Sequence, residues 1–449
     1  MLSLTEVAPL IRARELSSAE LTAACLDRVE KLNPALNAFI TVTPDGALKQ
    51  ARQADAELAT GNWRGPLHGI PIALKDLIDV GGVLTTAGSN QYRSRVATKD
   101  ATIVTQLKRA GAVILGKTNL HEFAFGGSGI VSAYGPARNP WDHTRVTGGS
   151  SSGSAAAVAA GMCVAAIGTD TAGSVRCPAA LCGVVGHRPS RGMLSNEGIV
   201  SLAQTFDTPG PMTRTVGDAA TILDCLAAPG AVRFATGLDE PVTGIKVGVA
   251  RNLLEEAEAE VQRCFSVAMA RISGLVSDVR EFNLQWKTPP AIRSYEIYRY
   301  HQEMLRQTPE LYDPRTLDRL RATEGVSEEE YQQGLRELAE FNRGVRVFDT
   351  VDVVLSPTVP VAAPLLAELE AMDSQAFRQY ELRNMLNNTF PFSSLWWPSV
   401  SVPCGFSSKG LPVGLQISAE PGADLVALRL AHAYQQATEW HKHVPAIAY

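Results

Sequence analysis

Apolar residues along this chain follow two alternating spacings. In several segments they recur every three to four positions, the period of an amphipathic helix. Between these segments stand short runs of consecutive apolar residues bounded by Gly or Pro, which indicate buried strands. Predicted helices cover 4–32 as a pair, 47–58, 103–110 and 154–161, and predicted strands lie within 65–82 and at 112–115 and 163–167. This alternation predicts an α/β fold: a mixed, largely parallel, twisted sheet covered by helices on both faces.

The second half of the chain differs in composition. After a Gly- and Pro-bearing linker at 229–243, residues 253–350 are mostly helical in pattern and rich in Glu, Arg and Gln. The remaining predicted elements are strands at 244–250, 352–355, 399–404 and 413–418 and a helix over 424–438. We expect a single domain over 1–449, with a core from 1–228 and 350–449 and a variable, mostly helical lobe at about 250–350.

Composition narrows the class of protein. Hydrophobic residues make up 45% of the chain and charged residues 19%, which is typical of a soluble globular enzyme. The formal net charge of −5 gives no basic surface of the kind that nucleic acids require, so we expect no nucleic-acid partner. The first residues lack the pattern of a signal peptide, and the longest apolar run, 155–168, is too short to span a membrane.

Cysteine usage indicates the compartment. The seven cysteines are scattered and form no C-x-x-C pair, which favours inert thiols in a reducing cytoplasm. His441 and His443 form an H-x-H pair without a Cys or carboxylate close by, so a solvated tail is favoured over a metal site. We expect a cytoplasmic protein that needs neither a metal nor a cofactor.

Candidate chemistry is concentrated at 148–176, where two clusters of Ser and Gly flank a predicted helix. The second cluster ends in the run from Thr171 to Ser174. Its small residues allow successive backbone N–H groups to face one point, as a site for a developing oxyanion requires. Ser174 is therefore the candidate nucleophile.

A serine hydroxyl needs a base to take its proton. Lys75 follows an apolar run on a predicted core strand. Because burial of an ammonium group is unfavourable, such a lysine shifts towards its neutral form and can act as the base. Ser150, in the first cluster, can accept a proton from one partner while it donates to another. The three residues predict a Ser–Ser–Lys arrangement.

Each feature also has a simpler interpretation. A lysine after an apolar run often extends its head to the surface, and a Gly/Ser run is often a linker or a helix cap. Residues 168–174 resemble a phosphate-binding loop but lack its lysine. Residues 149–153 match G-x-S-x-G with Ser151 as nucleophile, but that motif needs a strand directly before it, and 139–147 predict a loop. No histidine stands near these motifs in a suggestive context.

Together these residues resemble the amidase signature family. The matching segments are 69–76, 110–126, 148–192, 210–220 and 400–417, within roughly 1–225 and 350–440. The resemblance implies that Lys75 is the base and that Ser174 is the acylated nucleophile. It also implies that Ser150 bridges them, next to a cis peptide bond with Gly149.

The resemblance also implies the surroundings of this triad. The oxyanion hole would consist of the backbone N–H groups of Thr171, Ala172, Gly173 and Ser174. Asp170 and Arg176 would brace that loop. The acyl pocket would be lined by Phe125, Gly126, Gly127 and Ser128.

The activity implied is hydrolysis of the C–N bond of a small or medium amide, with water as the second substrate. Ala172 stands where many family members have Gly, which points towards urea-derived substrates such as allophanate or carboxybiuret. Trp396 and Trp397 stand in a run that is usually small, so we expect one of them, Trp396 foremost, to narrow or flatten the substrate pocket, the alternative being that both are core residues.

Two other roles compete with a stand-alone amidase. The A-type component of the glutamyl-tRNA amidotransferase would hydrolyse glutamine for a partner enzyme, but it carries an R-Y-D-G segment where this chain has Tyr-Arg-Tyr-His at 298–301. A non-catalytic scaffold is disfavoured because the three candidate catalytic residues are all present. A homodimer is a family expectation.

Overall fold

The computed structural model describes residues 3–227 and 233–448. Within these residues the strands form one eleven-stranded sheet and a separate two-stranded sheet. The strands are β1 (Phe39–Val42), β2 (Pro71–Lys75), β3 (Val113–Thr118), β4 (Arg138–Asn139), β5 (Asp142–Val146), β6 (Ala165–Asp170), β7 (Val185–Arg188), β8 (Thr208–Thr213), β9 (Lys246–Ala250), β10 (Asp278–Phe282), β11 (Val353–Pro357), β12 (Ser399–Phe406) and β13 (Pro412–Ala419).

Helices connect and cover these strands. They are α1 (Leu4–Ala13), α2 (Ser18–Leu36), α3 (Pro44–Ala59), α4 (Thr102–Arg109), α5 (Ser152–Ala159), α6 (Arg176–Cys182), α7 (Val216–Leu226), α8 (Phe234–Gly237), α9 (Arg251–Glu255), α10 (Ala259–Ser273), α11 (Pro290–Gln307), α12 (Pro314–Arg321), α13 (Glu328–Gly344), α14 (Leu366–Glu370), α15 (Ser374–Tyr380), α16 (Phe390–Ser394) and α17 (Asp424–Gln436). A π-helical turn, Glu381–Met385, follows α15 directly.

The large sheet has the strand order β1-β3-β2-β6-β8-β7-β12-β13-β11-β9-β10. Parallel pairs join β3, β2 and β6 towards one edge and β11, β9 and β10 at the other. The pairs between these two groups are antiparallel, as is the pair that adds β1. The result is a mixed sheet with helices on both faces, which confirms the predicted α/β fold class.

Alternation along β2 shows how the sheet separates two cores. Ile72 and Leu74 pack in the core beneath α1, α4 and α7, whereas Ala73 packs in the core beneath α2, α3 and α5. Successive side chains of a strand point to opposite faces, so Lys75, at the end of β2, shares the face of Ala73. This places Lys75 on the side of α5.

Helix α5 lies unusually close to the sheet. All eight of its residues are buried, and most of them are Ala, Gly or Ser. A Cβ atom on Gly153 would lie 2.1 Å from the carbonyl oxygen of Ala38, so only glycine permits this approach. The small side chains bring the residues that precede α5 against the end of β2.

Several predicted boundaries are wrong. β6 runs to Asp170, so residues 168–170 extend a strand rather than a loop. The loop predicted at 139–147 is instead a hairpin of β4 and β5, anchored by the Asn139 side chain, which donates to the carbonyl oxygens of Val146 and Leu181. Residues 250–350 contain mostly helices, but they also contribute β10 to the edge of the large sheet. Residues 228–232 of the predicted linker lie outside the described residues.

Some strands gave no sequence signal. β8 contains Pro209 and Pro211, and proline within a run normally argues against a central strand. It nevertheless lies between β6 and β7 in the sheet. Within the described ranges, no helix combines the length and the apolar character needed to cross a membrane. The seven cysteines are free thiols, and six of them are buried.

Candidate active site

Lys75 is fully buried at the end of β2, and its amine points towards two hydroxyl groups. Its Nζ atom lies 2.6 Å from Ser150 Oγ and 2.9 Å from Thr169 Oγ1. Burial lowers the pKa of Lys75 to about 7, and the carboxylates of Asp207 and Asp170 oppose that shift. The amine is therefore largely uncharged just above neutral pH. Thr169 was not predicted as a site residue.

The two Ser/Gly clusters meet beside this amine. The backbone N–H of Ser151 donates to the carbonyl oxygen of Ser174 at 3.1 Å, so the segments that carry Ser150 and Ser174 adjoin each other. The peptide bond between Gly149 and Ser150 is cis. Both hydroxyl-bearing residues are buried, Ser150 completely and Ser174 with 3% of its surface exposed. The structure thus brings Lys75, Ser150 and Ser174 into one buried site.

The backbone around Ser174 has free donors. The N–H groups of Thr171, Ala172 and Ser174 donate to no acceptor within the described part of the chain. The N–H of Gly173, in contrast, donates to the carboxylate of Asp170 at 2.8 Å. The predicted oxyanion set therefore needs one correction, because the Gly173 donor is already occupied by a charged acceptor.

Asp170 and Arg176 form a buried ion pair beneath this loop. Arg176 Nε donates to Asp170 Oδ2 at 3.0 Å and Nη2 to Oδ1 at 2.9 Å, and neither side chain is exposed. Burial alone would raise the pKa of Asp170, but the Arg176 guanidinium outweighs it and holds that pKa well below its usual range. The remaining donors of Arg176 reach Gln416, Thr389 and Ser393. The brace thus ties the loop to β13 and α16.

Thr389 supports the same loop from the other side. Its hydroxyl donates to the carbonyl oxygen of Ala172 at 2.7 Å. A Cβ atom on Gly173, whose φ is +135°, would lie 2.0 Å from Thr389 Oγ1, so this position requires glycine. The loop is held in place by packing as well as by hydrogen bonds.

Two further charged residues support the site, and neither was predicted. Arg188 is buried, and its Nη1 donates to the carbonyl oxygens of Asp170 and Phe206. Burial lowers the pKa of Arg188 to about 10. Asp207 accepts a hydrogen bond from Thr171 Oγ1 at 2.6 Å, and burial raises its pKa. These residues connect the loop around Ser174 to the segment before β8.

The predicted acyl-pocket segment, 125–128, is held at both ends by charged side chains. Arg319, from α12, donates to the carbonyl oxygen of Phe125 at 2.6 Å and also pairs with Glu381. Glu381 in turn accepts from the backbone N–H of Ser128 at 2.7 Å. Through this pair, helix α12 holds the shape of the segment.

The middle of this segment adjoins the Ser/Gly cluster. The carbonyl oxygen of Gly127 accepts from the N–H of Gly149 at 2.7 Å. A Cβ atom on Gly127 would lie 2.9 Å from Leu386, and one on Gly126 would overlap the ring of His121. Segment 125–128 therefore lies between Gly149 and an apolar wall.

His121 is a residue that the sequence analysis missed. Its backbone N–H donates to the carbonyl oxygen of Ser150 at 3.1 Å, so a histidine does lie beside the site. Its ring, however, faces Gly126 and lies 3.7 Å from Glu381. Burial lowers the pKa of His121 to about 4, which leaves the ring neutral at pH 7. The group that contacts Ser150 Oγ is therefore the amine of Lys75, at 2.6 Å, and not the His121 ring.

Trp396 packs near the segment that precedes β8. It packs with the cluster that contains Ala203 and Phe206, and the guanidinium of Arg191 lies 4.6 Å from the centre of its ring. Trp397, the neighbouring candidate, belongs to a different core cluster. Of the two tryptophans, Trp396 is therefore the one that packs with Phe206, next to Asp207, which accepts the hydrogen bond from Thr171.

The two rejected motifs have structural explanations. The hydroxyl of Ser151, the alternative nucleophile, donates to the carbonyl oxygen of Thr169 at 3.3 Å and belongs to the support of β6. Gly168 lies inside β6 rather than in a phosphate-binding loop. Among the described residues, no group of three or more His, Cys, Asp and Glu side chains is arranged to hold a metal ion.

Comparison with known proteins places this geometry in context. A family model described as Amidase matches residues 20–428. The A-type component of the glutamyl-tRNA(Gln) amidotransferase of Nitrosococcus oceani is 38% identical over 488 residues, covering 99% of each chain.

Solved structures give the same result. The native peptide amidase of Stenotrophomonas maltophilia superposes with a TM-score of 0.83 at 30% identity and covers 97% of each chain. The A-type component of the glutamyl-tRNA(Gln) amidotransferase of Thermotoga maritima has a TM-score of 0.79 at 32% identity, covering 97% of this chain and 94% of its own.

Proposed function

Because the chain belongs to the amidase family and is an enzyme that acts on amide C–N bonds, we propose that it cleaves them through an acyl-enzyme on Ser174. The observation that carries the proposal is the 2.6 Å distance between Lys75 Nζ and Ser150 Oγ, both of which are fully buried. In the proposed mechanism, neutral Lys75 is the base, Ser150 passes the proton, and Ser174 is the nucleophile.

A proton moves with each change in bonding. As Ser174 Oγ bonds to the amide carbon, its proton moves to Ser150 Oγ and the Ser150 proton moves to Lys75 Nζ. The free N–H groups of Thr171, Ala172 and Ser174 stabilise the oxyanion. The same proton returns through Ser150 to the amine or ammonia as the C–N bond breaks. Water, deprotonated along this route, then hydrolyses the ester.

Amide hydrolysis and its nucleophile can be tested together. Release of ammonia is measured for a panel of primary amides with the wild-type protein and with Ser174→Ala. Ser152→Ala is the matched control, because Ser152 is a buried serine of the same cluster whose hydroxyl makes only a 3.4 Å hydrogen bond to Asn119. Activity lost in Ser174→Ala and kept in Ser152→Ala supports the proposal; activity that survives in Ser174→Ala contradicts it.

The relatives favour a second role over a stand-alone amidase: the A-type component of a glutamine-dependent amidotransferase. The first eight curated relatives carry that name, at 36–38% identity over nearly their whole length. In this role the same centre releases ammonia from glutamine, and the partner is a protein complex. The 488-residue alignment exceeds the 449 residues of this chain, so the relative has segments that are missing here.

Partner dependence separates the two roles. The chain is purified from its own cells and assayed for glutaminase activity, alone and together with any co-purifying protein. Glutamine hydrolysis that appears only with the second chain supports the role within a complex. Hydrolysis of other amides by the isolated chain, without glutaminase activity, supports the stand-alone role.

A further inference from the structure

Arg293, in the first turns of α11, is a cation without an anionic partner among the described residues. Its guanidinium lies 4.4 Å from the centre of the Phe390 ring. Its Nε atom is buried and has no acceptor in the described part of the chain. A cation–π contact offsets only part of the hydration that such a group loses. The side chain is therefore incompletely stabilised by the protein.

The nearest acid on the helix does not neutralise Arg293. Glu296 is three residues away, a spacing at which an ion pair can form on a helix. Its carboxylate is instead occupied by the backbone N–H of Thr205 at 3.0 Å, by the Thr205 hydroxyl at 2.5 Å and by the hydroxyl of Tyr331 at 2.9 Å. The first turn of α11 contains no acidic side chain.

The other charge near Arg293 is also positive. Burial lowers the pKa of Arg293 to about 10, and the exposed Arg378 acts in the same direction. By surface area Arg293 is half-buried, and its Nε atom is covered. Two arginines without a facing carboxylate in the described structure make the surroundings of Arg293 attractive to an anion.

Contacts link Arg293 to the candidate active site. The Phe390 ring, against which the Arg293 guanidinium lies, belongs to the residue directly after Thr389. The Thr389 hydroxyl donates to the carbonyl oxygen of Ala172. Ile292, which precedes Arg293, is buried with Phe206 and Trp396. Arg293 is thus connected to the loop around Ser174 through Phe390 and its chain neighbour Thr389.

We propose that Arg293 is a substrate-binding residue that pairs with a carboxylate on the acyl portion of the amide. The proposal rests on amide hydrolysis at Ser174 and names the substrate class of that site: primary amides with a carboxylate at the far end. The flat face of the guanidinium is fixed against Phe390, which leaves its edge free to donate two parallel hydrogen bonds.

The same geometry discriminates against a substrate ammonium group. Three buried carboxylates around the site are occupied by protein donors: Asp170 by Arg176, Asp207 by Thr171 and Glu381 by Arg319. None of these three is free to pair with the α-ammonium group of glutamine. A carboxylate amide without that group is therefore the better substrate.

The experiment uses matched substrates and a matched variant. kcat and KM are measured for succinamate, glutaramate and adipamate, each against its uncharged counterpart (butyramide, valeramide or hexanamide), and for glutamine. The variants are Arg293→Gln and, as control, Arg299→Gln, which removes an exposed arginine from the same helix. For at least one chain length, the wild type should prefer the carboxylate by about tenfold or more in kcat/KM, and glutaramate should exceed glutamine.

Arg293→Gln should remove about 10–100-fold of kcat/KM for that carboxylate substrate, mainly through KM, because a charge-assisted hydrogen bond contributes about 1.5–3 kcal/mol. Hydrolysis of the uncharged counterpart should stay within about twofold, and Arg299→Gln should change neither. The proposal is overturned if no carboxylate substrate is preferred at any length, or if Arg293→Gln lowers both members of a pair equally.

A binding measurement separates this proposal from the hydrolytic one. Glutarate is titrated into Ser174→Ala by calorimetry, with and without Arg293→Gln or Arg293→Lys. Binding that weakens about tenfold or more in the Gln variant and less in the Lys variant supports the carboxylate site even if no amide is hydrolysed. Absence of glutarate binding, or equal binding in all three proteins, overturns it. If Arg293→Gln does not fold, the comparison uses Arg293→Lys alone. Weaker glutarate binding in Arg293→Lys then supports the carboxylate site, and unchanged binding overturns it.

Discussion

Lys75 Nζ and Ser150 Oγ lie 2.6 Å apart although 75 positions separate the two residues in the chain. Both are fully buried, because β2 ends where the alanine-rich α5 lies against the sheet. An amine in that environment titrates close to neutral pH instead of about three units higher, since burial disfavours its charged form. The proposed reaction depends on this contact.

Lys75 and Ser150 should act as a unit. Lys75→Met and Ser150→Ala should each lower kcat by about 10²–10⁴-fold, since each interrupts the proton route from Ser174. The double variant should be hardly slower than the slower single variant, because a broken route cannot be broken twice. Lys99→Met, which removes an exposed lysine, is the control. Losses that multiply in the double variant would show that the two residues act independently.

The free energy of unfolding should depend on pH through the titration of Lys75. The pKa of Lys75 is about 7 in the folded state and near 10.5 in the unfolded chain, so between these values the unfolded state binds more protons and stability rises with pH. The unfavourable effect of the buried amine is largest below pH 7. Relative to Lys75→Met, the wild type should gain on the order of 2 kcal/mol between about pH 6.5 and 8.5. Urea unfolding of both proteins measures this, and a pH-independent difference would contradict the assignment.

Arg176 should be a stability determinant as well as a support of the site. Arg176→Met leaves the Asp170 carboxylate buried without its partner, and removal of one member of such a pair typically costs about 3–5 kcal/mol. Denaturant unfolding should show that loss, while Arg280→Met, at an exposed ion pair, should change stability by about 1 kcal/mol or less. Near-wild-type stability in Arg176→Met would mean that the brace is not needed.

Asp207 should tune the base without touching the substrate. Asp207→Asn can still accept from the Thr171 hydroxyl, but it removes a negative charge that raises the pKa of Lys75. The midpoint of the pH dependence of kcat/KM should therefore move to lower pH, an effect that a purely structural role would not produce. Asp239→Asn, at an exposed aspartate, is the control. An unchanged midpoint would remove Asp207 from the electrostatics of the site.

Local motifs singled out the residues of the candidate site, and the structure places Lys75 Nζ 2.6 Å from Ser150 Oγ. Lys75, Ser150 and Ser174 each stand in a short segment whose composition restricts its structure: an apolar run before the lysine, and small residues around the serines. Helix α5 and strands β2 and β3 were predicted for the same reason. Periodicity over a few residues is a local property, so a single sequence reveals it.

The supporting residues could not be predicted in this way. Arg188, Asp207 and Thr389 reach the loop around Ser174 from segments that are distant in the chain, and nothing beside them in the sequence indicates which groups they contact. Strand β8 was missed because its prolines outweigh its burial in any local pattern. The occupied N–H of Gly173 is likewise a tertiary fact, since it depends on where Asp170 points.

Phosphonylation of Ser174 by a fluorophosphonate, followed by mass spectrometry of the intact protein and of its peptides across a range of pH, is the most direct test of the proposed triad. We expect one added phosphonyl group on the peptide that contains Ser174, at a rate that rises with pH to a plateau with its midpoint near 7. In Lys75→Met the rate should fall and lose that midpoint. Labelling of Ser151 instead, or a pH profile that persists in Lys75→Met, would contradict it.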